Sequence, residues 1–576
     1  MRLASSSVRR PAGPLPPNYK WIALSNTTLG TLMAAINSSI ILISLPAIFR
    51  GIGVNPLAPD ETGYLLWMLL GYMVVTAVFL VACGRISDLF GRVRLYNAGF
   101  LVFTLGSALL YLTPARANTA ALELVLFRLV QGLGAAFLFA NSTAILTDAF
   151  PAGERGLALG LNQLAAIGGS LAGLLVGGLM AVADWRLVFL VSVPFGVIGT
   201  VWAYLMLRET APPSARRPRI DYWGNLSFAL GLTSLLVGIT YGIMPYGSSD
   251  MGWGNPLVAA ALVGGVALLA AFGVIETHVP DPMFRLSLFR LRPFLAGNVA
   301  NFLGSLARGG LQFMLVIWLQ GIWLPLHGYS FQSTPLWAGI YMVPLMVGFM
   351  LCGPISGRLS DRLGARGLAT AGLAVTVFCF IGLSTLQANF AYPVFAALIG
   401  VMGCGMGLFS APNTSSTMSA LPPEHRGAGS GMIATSQNAG SMCSMGVFFT
   451  IAIAGLGGGL PGALRQGLTA AGLPAAAAAA VAHLPPTAAL FAAFLGYNPL
   501  QTLVPAAALQ GLDAAARAQI LSPSFFPGLI SGPFMVGMRA AFGVSALLSL
   551  GGVVASWLRG APAVQRPPAV RIEAAG

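Results

Sequence analysis

Charge is the scarcest property of this sequence. Only 8% of its 576 residues are Asp, Glu, Lys or Arg, whereas soluble domains carry about a quarter. The hydrophobic fraction is 56% and the mean hydropathy is +0.80. Most of the chain therefore cannot face water, which excludes an ordinary soluble protein, and we expect the lipid bilayer to be its main partner.

Cysteine and histidine are also rare. The five cysteines lie in apolar runs without a CxxC spacing, which is typical of small buried hydrophobic side chains. The four histidines are scattered over separate loops. No metal site and no nucleophile–base pair can be assembled from these residues, so the sequence predicts no catalytic residue, no metal, no cofactor and no enzymatic activity.

The net charge of +14 comes from 30 basic and 16 acidic residues. Although a basic chain can bind nucleic acid, the arginines here collect in short segments between apolar runs, as they do in membrane proteins. We therefore expect no nucleic-acid partner. With the N-terminus in the cytoplasm, 22 basic residues fall in inside segments and 5 in outside segments, which favours both termini in the cytoplasm.

Apolar runs long enough to cross a bilayer fill most of the chain. The first run is too long for the core of a signal peptide, so we keep it as a span. Residues 456–533 are apolar but interrupted by prolines; they predict short helices packed as an outer cap, with an additional membrane hairpin as the alternative. The sequence predicts fourteen spans, at about 21–49, 64–83, 96–113, 121–147, 157–181, 187–207, 221–243, 256–276, 294–319, 336–357, 367–387, 391–412, 431–455 and 534–557.

One charged segment occurs twice. GRISDLFG at Gly84–Gly91 returns as GRLSDRLG at Gly357–Gly364, with both glycines, the first arginine, the serine and the aspartate in register. Such self-similarity indicates that one structural unit was used twice. Each copy lies in a predicted loop after a span.

The repeat consists of Gly, three residues, Asp, two residues, Gly and then basic residues, and it resembles the signature loop of the major facilitator superfamily. The segment FRLVQGLGAA, with Arg128, Gln131, Gly132 and Gly134, is similar to that superfamily's arginine motif on helix 4. DWRLVFLVSVPFG at Asp184–Gly196 is similar to the WRW-F-N-P-G stretch of its fourteen-helix drug:proton antiporters. Span 5 carries glycines where those antiporters have a Gly-Pro…Gly-Gly motif: Gly173, Gly177 and Gly178.

The resemblance implies an all-α membrane protein with the major facilitator superfamily fold. Fourteen transmembrane helices are expected, in two six-helix halves plus two central inserted helices. The expected divisions are a cytoplasmic tail (1–20), an N-terminal half (21–207), a linker with the two inserted helices (208–276), a C-terminal half (277–557) and a second cytoplasmic tail (558–576).

The repeated loop predicts a conformational latch. Gly84 and Gly91 allow tight helix ends, and Asp88 can accept backbone N–H groups at a helix N-terminus. Arg92 lies within reach of Asp148, at the cytoplasmic end of span 4. We hypothesise that this cluster latches the two halves in the outward-facing state, the alternative being that the charges only fix topology. The second copy supplies the counterparts Gly357, Asp361 and Gly364.

Polar side chains inside the spans predict a substrate cavity. Arg128 lies within a span, where a guanidinium is costly and usually functional, and Gln131 shares its helical face. The alternative is that such side chains only satisfy helix carbonyls or hold helices together. The expected cavity residues are Asn37, Arg128, Gln131, Asn298, Asn301, Arg308, Gln312 and Gln437.

Helix 1 departs from the antiporter pattern. The antiporters carry an intramembrane Asp in L-D-x-T…A-L-P, whereas this chain reads INSSIILISLP, with Asn37 in place of the acid. Because an amide does not titrate, Asn37 cannot carry a proton. We therefore do not expect proton coupling through a central carboxylate. Glu123 and Asp148 remain as candidate proton carriers.

The sequence therefore predicts a plasma-membrane secondary transporter that exports hydrophobic or amphipathic compounds, drug-like or lipid-like, by alternating access. Proton coupling is left open. A cavity with two arginines and no buried acid suits neutral or anionic amphiphiles better than cations. The alternatives are a lipid translocator without proton antiport that works with cell-envelope components, and a non-transporting membrane scaffold. We expect a monomer.

Overall fold

The structure is a computed structural model that describes residues 16–560, apart from 55–61, 115–116, 152–153, 210–220, 248, 250, 281, 283 and 423–425. The two predicted tails lie largely outside the described residues. The described part of the chain is all-α, as predicted, and fourteen of its helices are long and apolar enough to cross a membrane. Spans 1 to 14 are Tyr19–Ile52, Gly63–Leu80, Arg92–Leu112, Asn118–Ala149, Leu157–Ala183, Leu187–Met206, Tyr222–Ile243, Pro256–His278, Arg292–Leu326, Thr334–Ser360, Ala365–Thr385, Tyr392–Ser419, Gly431–Ala470 and Phe525–Trp557.

The last two spans are longer than the sequence predicts. Span 13 belongs to a helix that continues to Ala470, and span 14 begins at Phe525. The prolines had suggested that span 13 ends near 455 and that span 14 begins near 534. Pro461 and Pro533 lie inside these helices. A buried helix can continue past a proline where a neighbouring helix covers it, and here Gly459 of span 13 approaches Pro533 closely.

The spans form two packed groups. Spans 1–6 pack on one another, as do spans 9–14, and spans 7 and 8 form a separate pair. This pair lies where span 2 of the first group approaches span 13 of the second. Phe228 and Phe272 of the pair share an apolar cluster with Val74 and Met442. Through span 7, the central pair thus contacts both groups.

The two copies of the repeated loop have the same backbone conformation. In each copy the second glycine is the single residue between two helices, with φ of 105° at Gly91 and 84° at Gly364. This region of φ favours glycine. In each copy the serine hydroxyl also donates to the carbonyl of the first glycine, at 2.6 Å from Ser87 and 2.7 Å from Ser360. The duplication read from the sequence therefore extends to local structure.

The chain between spans 13 and 14 occupies the end of the bundle away from Tyr19 and Arg559, here called the distal end. It contains short helices, of which Pro486–Leu495 is here called the inserted helix. The inserted helix is bent by 88° from the preceding helix Ala475–Val481, and all of its residues are buried. It packs against spans 1, 9, 13 and 14. The choice between an outer cap and a membrane hairpin stays a prediction.

Hydrogen bonds between the two groups lie at the distal end. The amide of Gln320 in span 9 donates to the carbonyl of Ile43 in span 1 at 3.2 Å. Arg50 Nη2 donates to the carbonyl of Phe331 at 3.4 Å. Within the described residues these two hydrogen bonds join the group of spans 1–6 to the group of spans 9–14, and both lie at the distal end.

Candidate functional site

A cavity of about 80 Å³ lies between the two groups of spans. Spans 1, 2, 4, 9 and 13 contribute to its wall. The polar part of the wall comprises Ser38, Ser39, Tyr72, Arg128 and Gln312. The apolar part comprises Ile41, Leu42, Leu69, Met73, Phe313 and Met445. The cavity therefore joins a polar surface to an apolar one, and both groups contribute to each.

Arg128 is the one charged residue in the described wall, and its side chain is buried. Its Nη1 donates to Asn37 Oδ1 and to Gln131 Oε1, each at 2.6 Å. Its Nε donates to the carbonyl of Met68 at 3.4 Å. The guanidinium also lies 4.3 Å from the centroid of the Tyr72 ring, within the range of a cation–π contact. All of these partners are neutral.

The hydrogen bonds continue beyond Arg128 into two further spans. The amide nitrogen of Gln131 donates to Ser107 Oγ of span 3 at 2.7 Å. The amide nitrogen of Asn37 donates to Ser192 Oγ of span 6 at 3.3 Å. Each amide therefore uses its nitrogen for a serine and presents its oxygen to the guanidinium. This arrangement fixes Arg128 to spans 1, 3, 4 and 6 at once.

Tyr72 is the second notable group in the wall. Its side chain is only 4% exposed, and its hydroxyl has no hydrogen-bond partner. A buried hydroxyl without a partner costs free energy. The wall residue Tyr72 thus carries a donor that protein groups leave unsatisfied, and its ring lies against a guanidinium that contacts only neutral acceptors.

Four of the predicted cavity residues come together here. Arg128 and Gln312 line the cavity from opposite groups. Asn37 and Gln131 lie behind Arg128 and bind it. Helical periodicity predicted that Arg128 and Gln131 share one face of span 4, and in the structure the two side chains are hydrogen-bonded.

The other four predicted residues lie elsewhere and do not line this cavity. The Asn298 amide donates to the carbonyl of Phe294 in its own helix at 3.0 Å, and the Asn301 amide donates to that of Ile433 at 3.2 Å. These bonds correspond to the structural alternative considered from the sequence. Arg308 lies 5.5 Å from the centroid of the Phe409 ring. Gln437 is exposed. A role for these four in substrate binding stays a prediction.

Sequence reasoning missed Tyr72 and Gln320. Aromatic and amide side chains occur in many spans, and Tyr72 becomes notable only because span 2 places its ring against Arg128. Gln320 lies in a π-helical turn, Trp318–Trp323, which is a deviation often found at functional positions. Neither feature has a pattern in the sequence that could have identified it.

The predicted ion pair of the first signature loop is present. Arg92 Nη1 lies 2.7 Å from Asp148 Oδ2. Because Arg92 begins span 3 and Asp148 ends span 4, this pair joins two helices of the same group. The proposed latch between groups stays a prediction, and the side chains of Asp88 and Asp361 lie outside the described residues.

An acidic residue that was not predicted from the sequence, Glu209, contacts this loop. Both carboxylate oxygens of Glu209 accept from the backbone N–H of Val93, at 3.1 and 2.9 Å, in the first turn of span 3. A carboxylate is favoured there by the helix dipole. Burial raises the pKa of the Glu209 carboxyl, while its hydrogen bond with Val93 opposes that rise. Glu209 thus makes a contact of the kind expected of Asp88, whose own contact stays a prediction.

The three glycines of span 5 permit close helix contacts. A Cβ at Gly173 would lie 2.5 Å from the carbonyl oxygen of Ile36, and one at Gly177 would lie 2.6 Å from Ile43 Cγ2, both in span 1. A Cβ at Gly178 would lie 2.6 Å from Leu336 Cα in span 10. Gly178 therefore lies at a direct contact between the two groups.

Solved structures share this architecture. A bacterial homolog of the human lysosomal transporter Spinster, in an inward-facing and unoccupied conformation, aligns with a TM-score of 0.54 at 16% identity, covering 95% of this chain and 100% of that chain. The proton:xylose symporter XylE aligns with a TM-score of 0.53 at 15% identity, covering 85% of this chain and 96% of that chain. At such low identity the likeness concerns the fold alone.

Curated relatives match most of the chain. The tetracenomycin C resistance and export protein of Streptomyces glaucescens is 26% identical over 88% of this chain and 87% of its own length. The cephamycin export protein CmcT of Amycolatopsis lactamdurans is 30% identical over 74% and 84%, and the riboflavin transporter RibZ of Clostridioides difficile is 27% identical over 73% and 85%. The family model of the Major Facilitator Superfamily matches residues 27–445. The chain therefore belongs to the Major Facilitator Superfamily, and it is a membrane transporter, not an enzyme.

Proposed function

We propose that this transporter exports hydrophobic or amphipathic compounds across the plasma membrane by alternating access between its two groups of spans. The observation that carries the proposal is the cavity between the groups, in which the fixed guanidinium of Arg128 faces the apolar side chains of both. Export is supported by the relatives whose names describe the export of tetracenomycin C and cephamycin.

The proposed orientation places both termini in the cytoplasm and the distal end outside. The bonds from Gln320 to Ile43 and from Arg50 to Phe331 then close the outer side, and the structure corresponds to the inward-facing state. For export, these contacts break after the substrate has bound from the inner side. The protein works as a monomer in this scheme.

Protons are not carried by a carboxylate of the cavity in this proposal. The described wall contains no acid, and Asn37 contributes an amide that does not titrate. A coupled proton would require an acid outside the wall, such as Glu123 or Asp148. Asp148 is already paired with Arg92. Because this ion pair favours the ionised carboxylate, it disfavours the protonation that a proton carrier requires.

The proposal is tested with the full-length protein in proteoliposomes. Movement of 2-naphthamide and 2-naphthoate is followed with and without an imposed pH gradient, and a pH-sensitive dye reports the gradient. Protein-dependent movement that dissipates the gradient indicates antiport, and movement unaffected by it indicates a facilitator. No protein-dependent movement of either compound, with correctly inserted protein, would contradict the proposal. Asn37→Asp gives the matched comparison, because a gain of proton dependence in this variant would identify position 37 as the missing coupling site.

A further inference from the structure

We infer that the cavity between the groups is a binding site for an acidic amphiphile, whose anionic group pairs with Arg128. This inference rests on the proposed transport function and adds a substrate class to it. The cavity, at about 80 Å³, takes the anionic group and the adjoining part of the apolar body, which lies against Met73, Phe313 and Met445. The anionic group faces the polar part of the wall.

The first argument is the charge of Arg128. A buried guanidinium is costly unless a counter-ion accompanies it. Within the described residues no carboxylate pairs with Arg128, and its acceptors are the amides of Asn37 and Gln131 and the carbonyl of Met68. These acceptors orient the guanidinium but leave its charge unneutralised. An anion that enters the cavity supplies the missing counter-ion.

The second argument is the set of donors around Arg128. The Tyr72 hydroxyl is buried without a partner, and Ser38, Ser39 and Gln312 add hydroxyl and amide groups to the same wall. A carboxylate accepts several hydrogen bonds and donates none. A site with a guanidinium, an unsatisfied hydroxyl and no acid therefore matches an acidic group and repels a cationic one.

Asn37 determines this preference through its oxygen. Its amide nitrogen already donates to Ser192, so that its Oδ1 faces Arg128 at 2.6 Å. Asn37→Asp keeps the shape of the side chain and places a fixed carboxylate at that oxygen. The variant would then hold its own counter-ion, and an acidic ligand would lose its electrostatic advantage.

The test measures binding to the full-length protein in phosphatidylcholine nanodiscs by calorimetry. The probes are 2-naphthoate, 2-naphthamide and 2-naphthylmethylammonium, which share one apolar body and differ in charge. We expect the acid to bind about tenfold more tightly than the amide, since a hydrogen bond to an ionised group is the stronger of the two and a difference of about 1.4 kcal/mol changes the dissociation constant tenfold. The ammonium compound should bind most weakly.

Two variants locate the effect. Asn37→Asp should abolish the preference for the acid, and Tyr72→Phe should weaken acid binding severalfold while keeping the ring against Arg128. Asn413→Asp is the matched control, because Asn413 Oδ1 also accepts from a buried arginine, Arg559, but lies outside the cavity wall. This control should keep the full preference.

Equal binding of the acid and the amide to the wild type would overturn the inference. So would a preference that survives in Asn37→Asp. These failures differ from failure of the proposed function: if proteoliposomes transport the neutral amide without favouring the acid, only the substrate class is wrong. If they transport neither compound, the transport proposal itself fails.

Discussion

Arg128 shows how far the sequence determines a site residue. Its position in an apolar span indicated a functional guanidinium, and the helical periodicity of span 4 placed Gln131 beside it. The partners from other helices were not predictable in the same way, because Tyr72 and Ser107 reach Arg128 and Gln131 only through packing of spans 2 and 3. Periodicity reports the face of one helix and carries no information on which helix covers it.

The network around Arg128 should contribute measurably to stability. Gln131→Met keeps a similar shape but removes the acceptor for Arg128 and the donor to Ser107. Because buried groups are left without partners, we expect a loss of about 1–3 kcal/mol. Thermal unfolding in detergent measures it. Gln437→Met is the control, since Gln437 is exposed, and an equal loss in both variants would argue against a stabilising network.

Gly178 should control closure of the distal end. In Gly178→Ala the new Cβ meets backbone atoms of Leu336 and Pro335 at 2.6–3.0 Å, so the two groups must separate there. We expect increased labelling of a cysteine at a buried distal position, Thr334→Cys, by a membrane-impermeant maleimide, because Thr334 is only 3% exposed. Gly168→Ala serves as the control, because a Cβ at that glycine meets no atom within 4 Å. Unchanged labelling in Gly178→Ala would show that the contact does not hold the distal end.

Among the elements, the inserted helix is the one that the sequence described least well. Its prolines and short apolar stretches predicted short helices, but nothing indicated that Pro486–Leu495 would be completely buried. Burial follows from tertiary packing: the ring centroids of Phe313 and Phe494 lie 5.6 Å apart, and those of Phe449 and Phe491 lie 5.8 Å apart. Since Phe313 also lines the cavity, its ring connects the cavity wall to the inserted helix.

The inserted helix should therefore act as part of the distal gate. Phe494→Ala removes a ring packed against Phe313, and we expect a loss of about 3–5 kcal/mol in stability. It should also increase uncoupled passage of 2-naphthamide through proteoliposomes. Phe378→Ala is the control, because Phe378 is 73% exposed in the described fold. A stability loss without increased passage would assign the helix to packing alone.

The signature loops were predicted in more detail than any other element. The second glycine of each copy, Gly91 or Gly364, is a tight link between two helices, and the Arg92–Asp148 pair is present. The expectation of a tight helix end at Gly84 was wrong, because Gly84 and its counterpart Gly357 lie inside helices. The other contacts of the loop could not be predicted, since a loop motif fixes its own backbone and not its partners. Glu209, more than a hundred residues away from the loop, contributes a contact that the motif itself did not suggest.

Breaking this ion pair should affect transport more than stability. The side chains of Arg92 and Asp148 are about a quarter exposed, so Asp148→Asn should cost at most about 1 kcal/mol. If the loop governs exchange between states, the transport rate should fall severalfold. Glu154→Gln is the control, because it breaks the comparable Lys20–Glu154 pair. Equal transport rates in both variants would favour the view that the loop charges only fix topology.

On the scale of the whole molecule, two similar groups of six helices surround one cavity and are bonded to each other at one end. The sequence predicted the groups because apolar run length and the repeated loop are local features. It did not predict the conformational state, which depends on contacts such as Gln320–Ile43 between residues far apart in the chain. A two-state carrier must exchange these distal contacts for new contacts at the opposite end.

Distances between spin labels at the two ends test this central claim most directly. One pair, Thr119→Cys with Ser330→Cys, reports the distal end; a second pair, Leu157→Cys with Leu363→Cys, reports the opposite end. We expect a short distal distance in the otherwise unaltered chain. With the addition of Gly178→Ala, the distal distance should lengthen while the distance at the opposite end shortens. A distal distance that lengthens without that shortening, or distances that change in the same direction, would contradict alternating access between the two groups.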